Sequence, residues 1–364
     1  MKKRIGLLYG GKSAEHEVSL STARAVTNAL NFSEYEVYPI YITQEGEWRK
    51  GAQLMAPADS IEQLQIESDT SEVSPNNISS FITKTDESSS IDDQPLDVIF
   101  PVLHGPNGED GTVQGLLEVM NLPYIGNGVL ASSAGMDKVV MKQLFAQAGL
   151  KQVPFVHFIR REWQTNQEKW LDEVENELSW PVFVKPANLG SSVGISKAST
   201  KDELIKAVDF ALKYDRKIII EQGIKAREVE MGVLGNDNPK CSVAGEIKPL
   251  KDFYDYEAKY QDGNTAMIIP AEISTALEGK MQEMAVKAFK VLDCAGLVRA
   301  DFFVTDENEV LINEVNTLPG FTPYSMFPLL WQHTGVSYPE LINELINLAV
   351  ERHAEKQMLH YKMD

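Results

Sequence analysis

The feature that most restricts how this chain can fold is a predicted β-hairpin near its carboxyl end. Two apolar segments, residues 298–304 and 310–316, flank a polar turn that we centre between Glu307 and Asn308. Side chains alternate between the two faces of a strand, so one face of the hairpin is expected to be apolar. The residues predicted to supply the core are Ala300, Phe302, Val304, Leu311 and Val315.

The opposite face of the predicted hairpin carries polar residues. The register pairs Asp301 with Glu314 and Arg299 with Asn316 at the end away from the turn. Two carboxylates and an amide oxygen on adjacent strands suit a hard cation such as Mg²⁺. The arginine would add charge for a phosphate or an oxyanion. A surface ladder of salt bridges has the same pattern, and the hairpin alone does not distinguish the two interpretations.

A second segment combines a lysine with a loop rich in glycine and serine. A predicted strand over residues 180–186 delivers Lys185, and residues 187–194 then turn back toward a partner strand. Glycine lets backbone N–H groups approach phosphate oxygens closely, and serine hydroxyls add donors. An ordinary flexible loop is the alternative, and Lys185 at the start of the loop favours phosphate binding.

Three further segments admit a functional and a structural interpretation. Glu221 ends a predicted buried strand and Glu228 follows it, which suits hydrogen bonds to an adenine amine and ribose hydroxyls, although acids at strand ends are common. Residues 253–260 are rich in tyrosine and include Lys259, which indicates either a half-buried strand or a lid over a cleft. Glu15 begins a predicted helix, where it would hold a substrate ammonium or only interact with the helix dipole.

The rest of the chain indicates an α/β protein with more than one domain. Its 364 residues exceed the ~250–300 residues at which a single core stops growing. An apolar strand, two glycines, a helix and another strand begin the chain and predict a parallel, Rossmann-like sheet. Residues 6–13 also match the Walker A string, but Gly6 lies inside the predicted strand and only Gly10 and Gly11 are free to turn. We therefore reject a P-loop.

Composition excludes some classes of function. The net charge of −19 argues against nucleic-acid binding, which needs a basic face. No apolar run approaches the ~20 residues that cross a bilayer, and the first apolar stretch is too short for a signal peptide. The two cysteines, Cys241 and Cys294, have no metal-ligand spacing and are expected to be buried thiols in a reducing compartment. We expect a cytoplasmic protein.

Five motifs, taken together and in order, carry a resemblance to a known family. They are HGPNGEDGTVQG from His104, KPANLGSSVG from Lys185, FYDYEAKY from Phe253, LVRADFF from Leu297 and NEVNTLPGFT from Asn313. In these motifs the chain resembles the D-alanine–D-alanine ligase family of the ATP-grasp superfamily over nearly its whole length. The resemblance implies an ATP-grasp fold of three domains: a Rossmann-like domain at 1–130, a central lid domain at 131–217, and a C-terminal mixed-sheet domain at 218–364 with a lid loop at 252–264.

The resemblance also implies roles for individual residues. Lys138, Lys185 and Lys259 match lysines that contact ATP phosphates, whereas Glu221, the Ile224 backbone and Glu228 match the adenine and ribose contacts. Asp301, Glu314 and Asn316 match the ligands of two Mg²⁺ ions, which Mn²⁺ would be able to replace. For the first D-alanine, the resemblance implies that Glu15 binds the ammonium and that Ser191 and Tyr260 belong to a network that closes the lid. It implies Arg299 and the Gly320 N–H as oxyanion donors. Ser325 and Met326 are implied for the carboxylate of the second D-alanine, and the role of His104 is left open.

The activity implied is the joining of two D-alanine molecules with ATP through an acyl phosphate, for peptidoglycan synthesis, by a cytoplasmic homodimer. Family members that make D-alanyl-D-lactate have a histidine where this chain has Tyr260, so D-alanine is the expected acceptor. Two rivals are another ATP-grasp carboxylate–amine ligase and a catalytically inactive nucleotide-binding regulator. Glu15 and Tyr260 argue against the first. Arg299, the three metal-site residues and Lys259 together argue against the second.

Overall fold

Three β-sheets follow one another along the part of the chain that the computed structural model describes, which is residues 2–67, 96–249 and 265–360. The strands of the first sheet are β1 (Lys3–Gly10), β2 (Tyr35–Ile42), β3 (Trp48–Lys50) and β4 (Val98–Pro101). β2 and β4 run parallel to the central strand β1, and β3 is antiparallel at one edge. The predicted Rossmann-like parallel arrangement is therefore confirmed.

Alternate residues of β1 explain how the first sheet is covered on both sides. Ile5 and Leu7 belong to the core beneath α1 (His16–Ala29), whereas Leu8 belongs to the core beneath α2 (Thr112–Val119). A strand that is buried on both faces is a continuous apolar run, as the sequence of β1 is. The loops that follow β1 and β4 then lead into these two helices, and both loops carry predicted site residues.

The glycines near the start of the chain confirm that the Walker A match is accidental. Gly6 lies within β1, where an added Cβ would come within 2.6 Å of the Leu96 side chain. Gly10 and Gly11 have φ values of +91° and +98°, a region that favours glycine, and they form the turn after the strand. The residues between Gly6 and Gly10 are thus strand residues and form no phosphate cradle.

The second sheet is antiparallel and has the order β5-β8-β6-β7. Its strands are β5 (Phe155–Ile159), β6 (Val182–Pro186), β7 (Ser196–Ala198) and β8 (Lys217–Gln222), and its helices are α5 (Arg160–Thr165), α6 (Gln167–Glu177) and α7 (Lys201–Ala211). The predicted pairing of the strands on either side of the Gly/Ser loop is confirmed. The domain boundaries stay a prediction, but a boundary between residues 217 and 218 would cut β8 from its sheet. A boundary after Gln222 keeps the sheet intact.

The third sheet has the order β11-β10-β9-β12-β13, and its described pairings are all antiparallel rather than mixed. Its strands are β9 (Ala226–Gly235), β10 (Lys240–Pro249), β11 (Thr265–Ile268), β12 (Gly296–Thr305) and β13 (Val310–Asn316). The remaining helices are α3 (Val129–Met136), α4 (Lys138–Gln147), α8 (Thr275–Val291), α9 (Met326–His333) and α10 (Tyr338–Gln357). No helix among the described residues is long and apolar enough to cross a membrane.

The helix α4 lies between the second and third sheets. The helix predicted over residues 136–148 corresponds to α4, which begins two residues later than predicted, because Asp137 ends α3 and caps α4 by accepting from the Val139 and Val140 N–H groups at 3.1 Å each. Met141 packs in the core of the third sheet, and Val139 packs with the second sheet. Two polar side chains of α4, Lys138 and Lys142, lie between the two sheets.

The hairpin β12–β13 confirms the predicted register at the site and corrects it near the turn. Arg299 pairs with Asn316 and Asp301 with Glu314, but the register shifts by one residue immediately after Asp301. This bulge arises at Asn313. It reverses the alternation of β13, so that Val310 and Ile312 face the core and the prediction of Leu311 as a core residue is wrong.

Candidate active site

Glu15 lies in the loop between β1 and α1 and is joined to the Gly/Ser loop of the second sheet. Its side chain is buried, and its Oε1 accepts a hydrogen bond from the Ser191 hydroxyl. Ser191 and Ser192 have φ values of +54° and +58°, which non-glycine residues rarely adopt. Such backbone conformations occur where the surrounding structure holds them for a purpose. The predicted pair Glu15–Ser191 is therefore brought together across 176 positions of sequence.

His104 lies directly after the β4 segment and faces Glu15. Burial lowers the pKa of its imidazole, opposed by the charge of Glu15 and by a hydrogen bond with the Leu318 backbone. Its buried Nε2 has no hydrogen-bond partner among the described residues. A buried polar atom without a partner is costly unless a ligand or water completes it. His104 thus presents a free polar atom inside the cluster that Glu15 and Ser191 form.

Glu109 belongs to this cluster and was missed by sequence analysis. Its Oε1 accepts from the Gly105 N–H at 2.8 Å and lies 3.7 Å from where a Cβ on Gly190 would stand. Burial and the nearby charge of Glu15 raise the pKa of Glu109 to about 8, against the hydrogen bond from Gly105 and the charge of Lys138. An acid inside a loop of three glycines was the available signal. Its meaning depends on Glu15 and Gly190, which lie far away in sequence.

A buried carboxylate with two lysines forms the predicted nucleotide pocket. The Nζ of Lys185 lies 2.5 Å from Glu221 Oε2, and the Nζ of Lys142 lies 2.8 Å from Oε1. These two cations hold the pKa of Glu221 down at about 2, although burial alone would raise it. Sequence analysis predicted Lys185 and Glu221 but missed Lys142. Its position four residues after Lys138 on one helix was the only signal.

Lys138 joins the Gly/Ser loop to the hairpin. Its Nζ donates to the Leu189 carbonyl at 2.9 Å and lies 3.5 Å from Glu314 Oε2. Asp137, directly before it, bonds the side chains of Asn188 and Lys217 and so fixes the start of α4 to the second sheet. The predicted phosphate lysine is thus held between the loop and the predicted metal site.

The polar face of the hairpin carries the arrangement that its register predicts. Arg299 donates to both oxygens of Asp301 at 2.8 Å each, and the Asn316 amide donates to Asp301 Oδ2 at 2.8 Å. Glu230, which β9 places opposite Asp301, lies 2.9 Å from the Arg299 Nε and was not predicted. These buried acids raise the pKa of Arg299 well above its ordinary value. The surface salt-bridge ladder is excluded, because Arg299, Asp301 and Glu230 are buried or nearly so.

The donors on this face fit a magnesium site completed by phosphate. In the described ranges no three His, Cys, Asp or Glu side chains form a cluster that would hold an ion by themselves. Mg²⁺ usually binds through one or two carboxylates together with substrate phosphates and water. Asp301, Glu314 and the amide oxygen of Asn316 offer two carboxylates and a neutral oxygen on paired strands. The set therefore suits Mg²⁺ bound together with a nucleotide.

The other predicted residues have fewer described contacts with this cluster. Ile224 lies between β8 and β9, and the charge of Glu228 contributes to raising the pKa of Lys185. Ser325 is the residue before α9, and its hydroxyl bonds Thr322. An added Cβ on Gly320 would lie 3.2 Å from Ser325 Oγ, so these two lie in one tight loop, with Met326 buried behind them. Lys259 and Tyr260, with the whole lid loop at 252–264, lie outside the described residues.

The cysteines carry no chemistry in the described structure. Both are free thiols, and burial raises the pKa of Cys241 to about 12 and of Cys294 further still. Cys294 is buried as expected, whereas Cys241 is only half-buried.

Comparison with known proteins identifies the family of the chain. Residues 4–127 match the family described as D-ala D-ala ligase N-terminus, and residues 144–347 match D-ala D-ala ligase C-terminus. The D-alanine–D-alanine ligase of Bacillus cytotoxicus is 59% identical over 360 residues, 99% of each chain. That of Geobacillus thermodenitrificans is 58% identical over 364 residues, the whole of each chain.

Solved structures give the same answer. The VanG D-Ala:D-Ser ligase from Enterococcus faecalis superposes with a TM-score of 0.84 at 36% identity, covering 96% of this chain and 100% of that one. The D-alanine–D-alanine ligase from Coxiella burnetii gives 0.80 at 34% identity, over 98% of this chain and 96% of that one. Family models, relatives and structures thus agree along almost the full length. The chain belongs to the D-alanine–D-alanine ligase family and has the ATP-grasp fold.

Proposed function

We propose that this protein joins two D-alanine molecules to D-alanyl-D-alanine for peptidoglycan synthesis, using ATP and releasing ADP and phosphate. The observation that carries the proposal is the position of the Gly/Ser loop. Through Ser191 it contacts Glu15, an acid suited to an ammonium group, and through the Leu189 carbonyl it contacts Lys138, a lysine suited to phosphate. Groups for an amino acid and for a nucleotide therefore border one loop.

The first step activates the carboxylate of the first D-alanine, which is a poor acyl donor. Glu15 would hold its ammonium, and the free Nε2 of His104 would contact its carboxylate. Lys138 and Lys185 would neutralise charge on the phosphoryl group that is transferred to the carboxylate. Mg²⁺ held by Asp301, Glu314 and Asn316, as two ions that Mn²⁺ could replace, would supply further charge neutralisation when bound.

The second step forms the peptide bond. The ammonium of the second D-alanine first loses a proton to solvent, and the free amine then attacks the acyl carbon of the acyl phosphate. Arg299 with the Gly320 N–H would stabilise the oxyanion; such donors are worth ~3–4 kcal/mol each. The N-terminus of α9, preceded by Ser325 and starting with Met326, would bind the second carboxylate. Phosphate is then the leaving group.

The residues of the lid loop enter the proposal from the sequence. Lys259 would contact the γ-phosphate, and Tyr260 would join the Glu15–Ser191 pair when the loop closes over the cleft. Closure would keep water from hydrolysing the acyl phosphate. Glu221, the Ile224 backbone and Glu228 would hold adenine and ribose at the other end of the nucleotide.

We also propose a cytoplasmic homodimer, since this is what the family resemblance implies. Light scattering on the purified protein measures its mass directly against the 40.6 kDa of one chain. A mass of one chain across micromolar concentrations contradicts the dimer and leaves the activity untouched.

One competition assay tests the proposed reaction and its acceptor. The protein is first incubated with ATP, Mg²⁺ and D-alanine. In a second incubation D-alanine, D-serine and D-lactate are present at equal concentrations, and the products of both are measured by mass spectrometry. We expect ADP, phosphate and mainly D-alanyl-D-alanine near neutral pH, since a tyrosine at position 260 adds no charge that repels an ammonium. D-Serine is included because the Enterococcus relative is a D-Ala:D-Ser ligase. If the main product contains D-serine or D-lactate, the proposal that D-alanine is the acceptor is wrong. If the protein binds ADP but forms no product, a nucleotide-binding regulator is favoured.

A further inference from the structure

Lys142 is a fully buried lysine to which the proposed reaction assigns no role. It lies on α4, its side chain is 1% exposed, and it ranks among the largest wholly buried side chains of the described residues. Lysine is almost never fully buried unless it is paired, because an isolated buried ammonium is very unfavourable. The position therefore indicates a specific partner rather than packing.

The partners of Lys142 are in the nucleotide pocket. Its Nζ lies 2.8 Å from Glu221 Oε1 on β8 and donates to the Asn313 carbonyl at 3.1 Å. Asn313 is the bulge residue of β13, so its carbonyl is freed from the regular strand pairing. Lys142 thus ties a carboxylate of the second sheet to the strand of the third sheet that carries Glu314.

The two cations on Glu221 differ in their access to the cleft. Lys142 is enclosed, whereas the Lys185 side chain is 13% exposed at the start of the Gly/Ser loop and contacts the other oxygen, Oε2. Of the two, Lys185 is the one whose side chain is open to the cleft and so can turn toward phosphates. When it turns, one of the two positive charges leaves Glu221 and Lys142 remains.

We propose that Lys142 is a positioning residue that holds the Glu221 carboxylate oriented and charge-balanced, so that Lys185 is free to contact the nucleotide phosphates. This inference rests on the proposed function, in which Glu221 accepts from the adenine amine. Without Lys142, Lys185 is the only cation left on a buried carboxylate and is retained there. Nucleotide binding then loses the phosphate contact and the orientation of the adenine contact together.

The expected effect is selective for the nucleotide. In Lys142→Met we expect the Kd for Mg²⁺–ADP and the KM for ATP to rise at least tenfold, while the KM for D-alanine changes less than twofold. Preference for ATP over GTP should also narrow, because Glu221 is the acceptor that distinguishes an amine from a carbonyl oxygen. Lys151→Met is the matched control, since Lys151 makes only an exposed ion pair with Glu309 at 2.7 Å, and it should leave all of these constants unchanged.

Calorimetry with ADP, steady-state kinetics and a double-mutant cycle make the test. If Lys142 acts through Glu221, adding Lys142→Met to Glu221→Gln should weaken ADP binding much less than it does in the wild type. Lys142→Gln keeps a donor without the charge, and it replaces Lys142→Met in every arm, the cycle included, if the latter does not fold.

Three results would overturn the inference. The first is an ADP affinity within twofold of wild type in the variant used, and the second is an equal rise in the KM values for ATP and D-alanine. The third is full additivity of the two substitutions' effects on ADP binding in the cycle. ADP calorimetry needs no turnover. A wild type that binds ADP but makes no dipeptide therefore refutes the proposed reaction while the role of Lys142 is still measured.

Discussion

The substitution Glu109→Gln should stabilise the protein at alkaline pH and have little effect in mild acid. Folding raises the pKa of this carboxyl from 4.5 to about 8, mainly through burial and the charge of Glu15. The folded protein therefore holds a proton at Glu109 that the unfolded chain has lost. The free energy of unfolding gained from that proton is fully present below pH 4.5 and is lost as pH rises toward 8.

The magnitude follows from the same change in pKa. Each pKa unit corresponds to about 1.4 kcal/mol, so a wholly shielded carboxyl would lose about 5 kcal/mol across this range. Glu109 is only half-buried, and solvent screens its charge, which leaves about 2 kcal/mol. Glutamine is neutral and its oxygen still accepts from the Gly105 N–H, so the variant avoids this loss.

Urea unfolding of both proteins at pH 5, 7 and 9 measures the difference. The free energy of unfolding of the variant should equal that of the wild type at pH 5 and exceed it by about 2 kcal/mol at pH 9. Glu17→Gln is the control, because Glu17 is an exposed acid on α1, and it should shift stability little at any pH. A Glu109→Gln protein less stable than the wild type at pH 9 would show that Glu109 is a favourably ionised group, and the argument would fail.

Three further substitutions test other parts of the site. Glu314→Gln should abolish ligation while circular dichroism stays native, since the side chain is partly exposed on β13 and lies outside the core; full activity at the Mg²⁺ concentration that saturates the wild type contradicts the metal assignment. Arg299→Ala should cut kcat by at least a hundredfold and weaken ADP binding far less, and the reverse pattern gives Arg299 another role. Gly111→Ala should lower the free energy of unfolding in urea by more than ~2 kcal/mol, because the φ of Gly111 is +93° and the new Cβ would lie 2.1 Å from Ser133 Oγ. An unchanged urea midpoint refutes this prediction.

The sequence predicts the hairpin face better than it predicts the hairpin core. Period-two alternation and a plausible turn suffice to pair Asp301 with Glu314, and the structure agrees. The turn is in fact centred one half-residue earlier, since Thr305 N–H bonds the Glu309 carbonyl at 3.0 Å. The bulge at Asn313 compensates for that offset at the pairs that form the site. Between Asn313 and the turn, it exchanges the residues of β13 that face the core with those that face away. A bulge has no strong signature in a single sequence, and for this reason Leu311 was assigned to the wrong face.

The residues that sequence analysis missed are those whose meaning depends on distant partners. Lys142, Glu109 and Glu230 each lie in a predicted or recognisable element, and nothing local distinguishes them from surface charges. Each becomes specific only through a distant residue in the fold: Lys142 through Glu221, Glu109 through the charge of Glu15, and Glu230 through Arg299. The local sequence pattern predicts that a carboxylate lies on a strand. The cation that pairs with it is identified only from burial and from contacts between sheets.

The charges of the site explain how it holds so many buried ionic groups together. Within the described residues, each basic group expected to contact phosphate or an oxyanion is paired with an acid: Lys185 with Glu221, Lys138 with Glu314, and Arg299 with Asp301. Buried ions are stable only when they are compensated in this way. Two of those acids are the proposed metal ligands, so a cation that occupies them would weaken their pairing with Lys138 and Arg299, while Glu230 stays 2.9 Å from the Arg299 Nε. Metal and nucleotide should therefore favour each other's binding, because each removes the pairing that competes with the other.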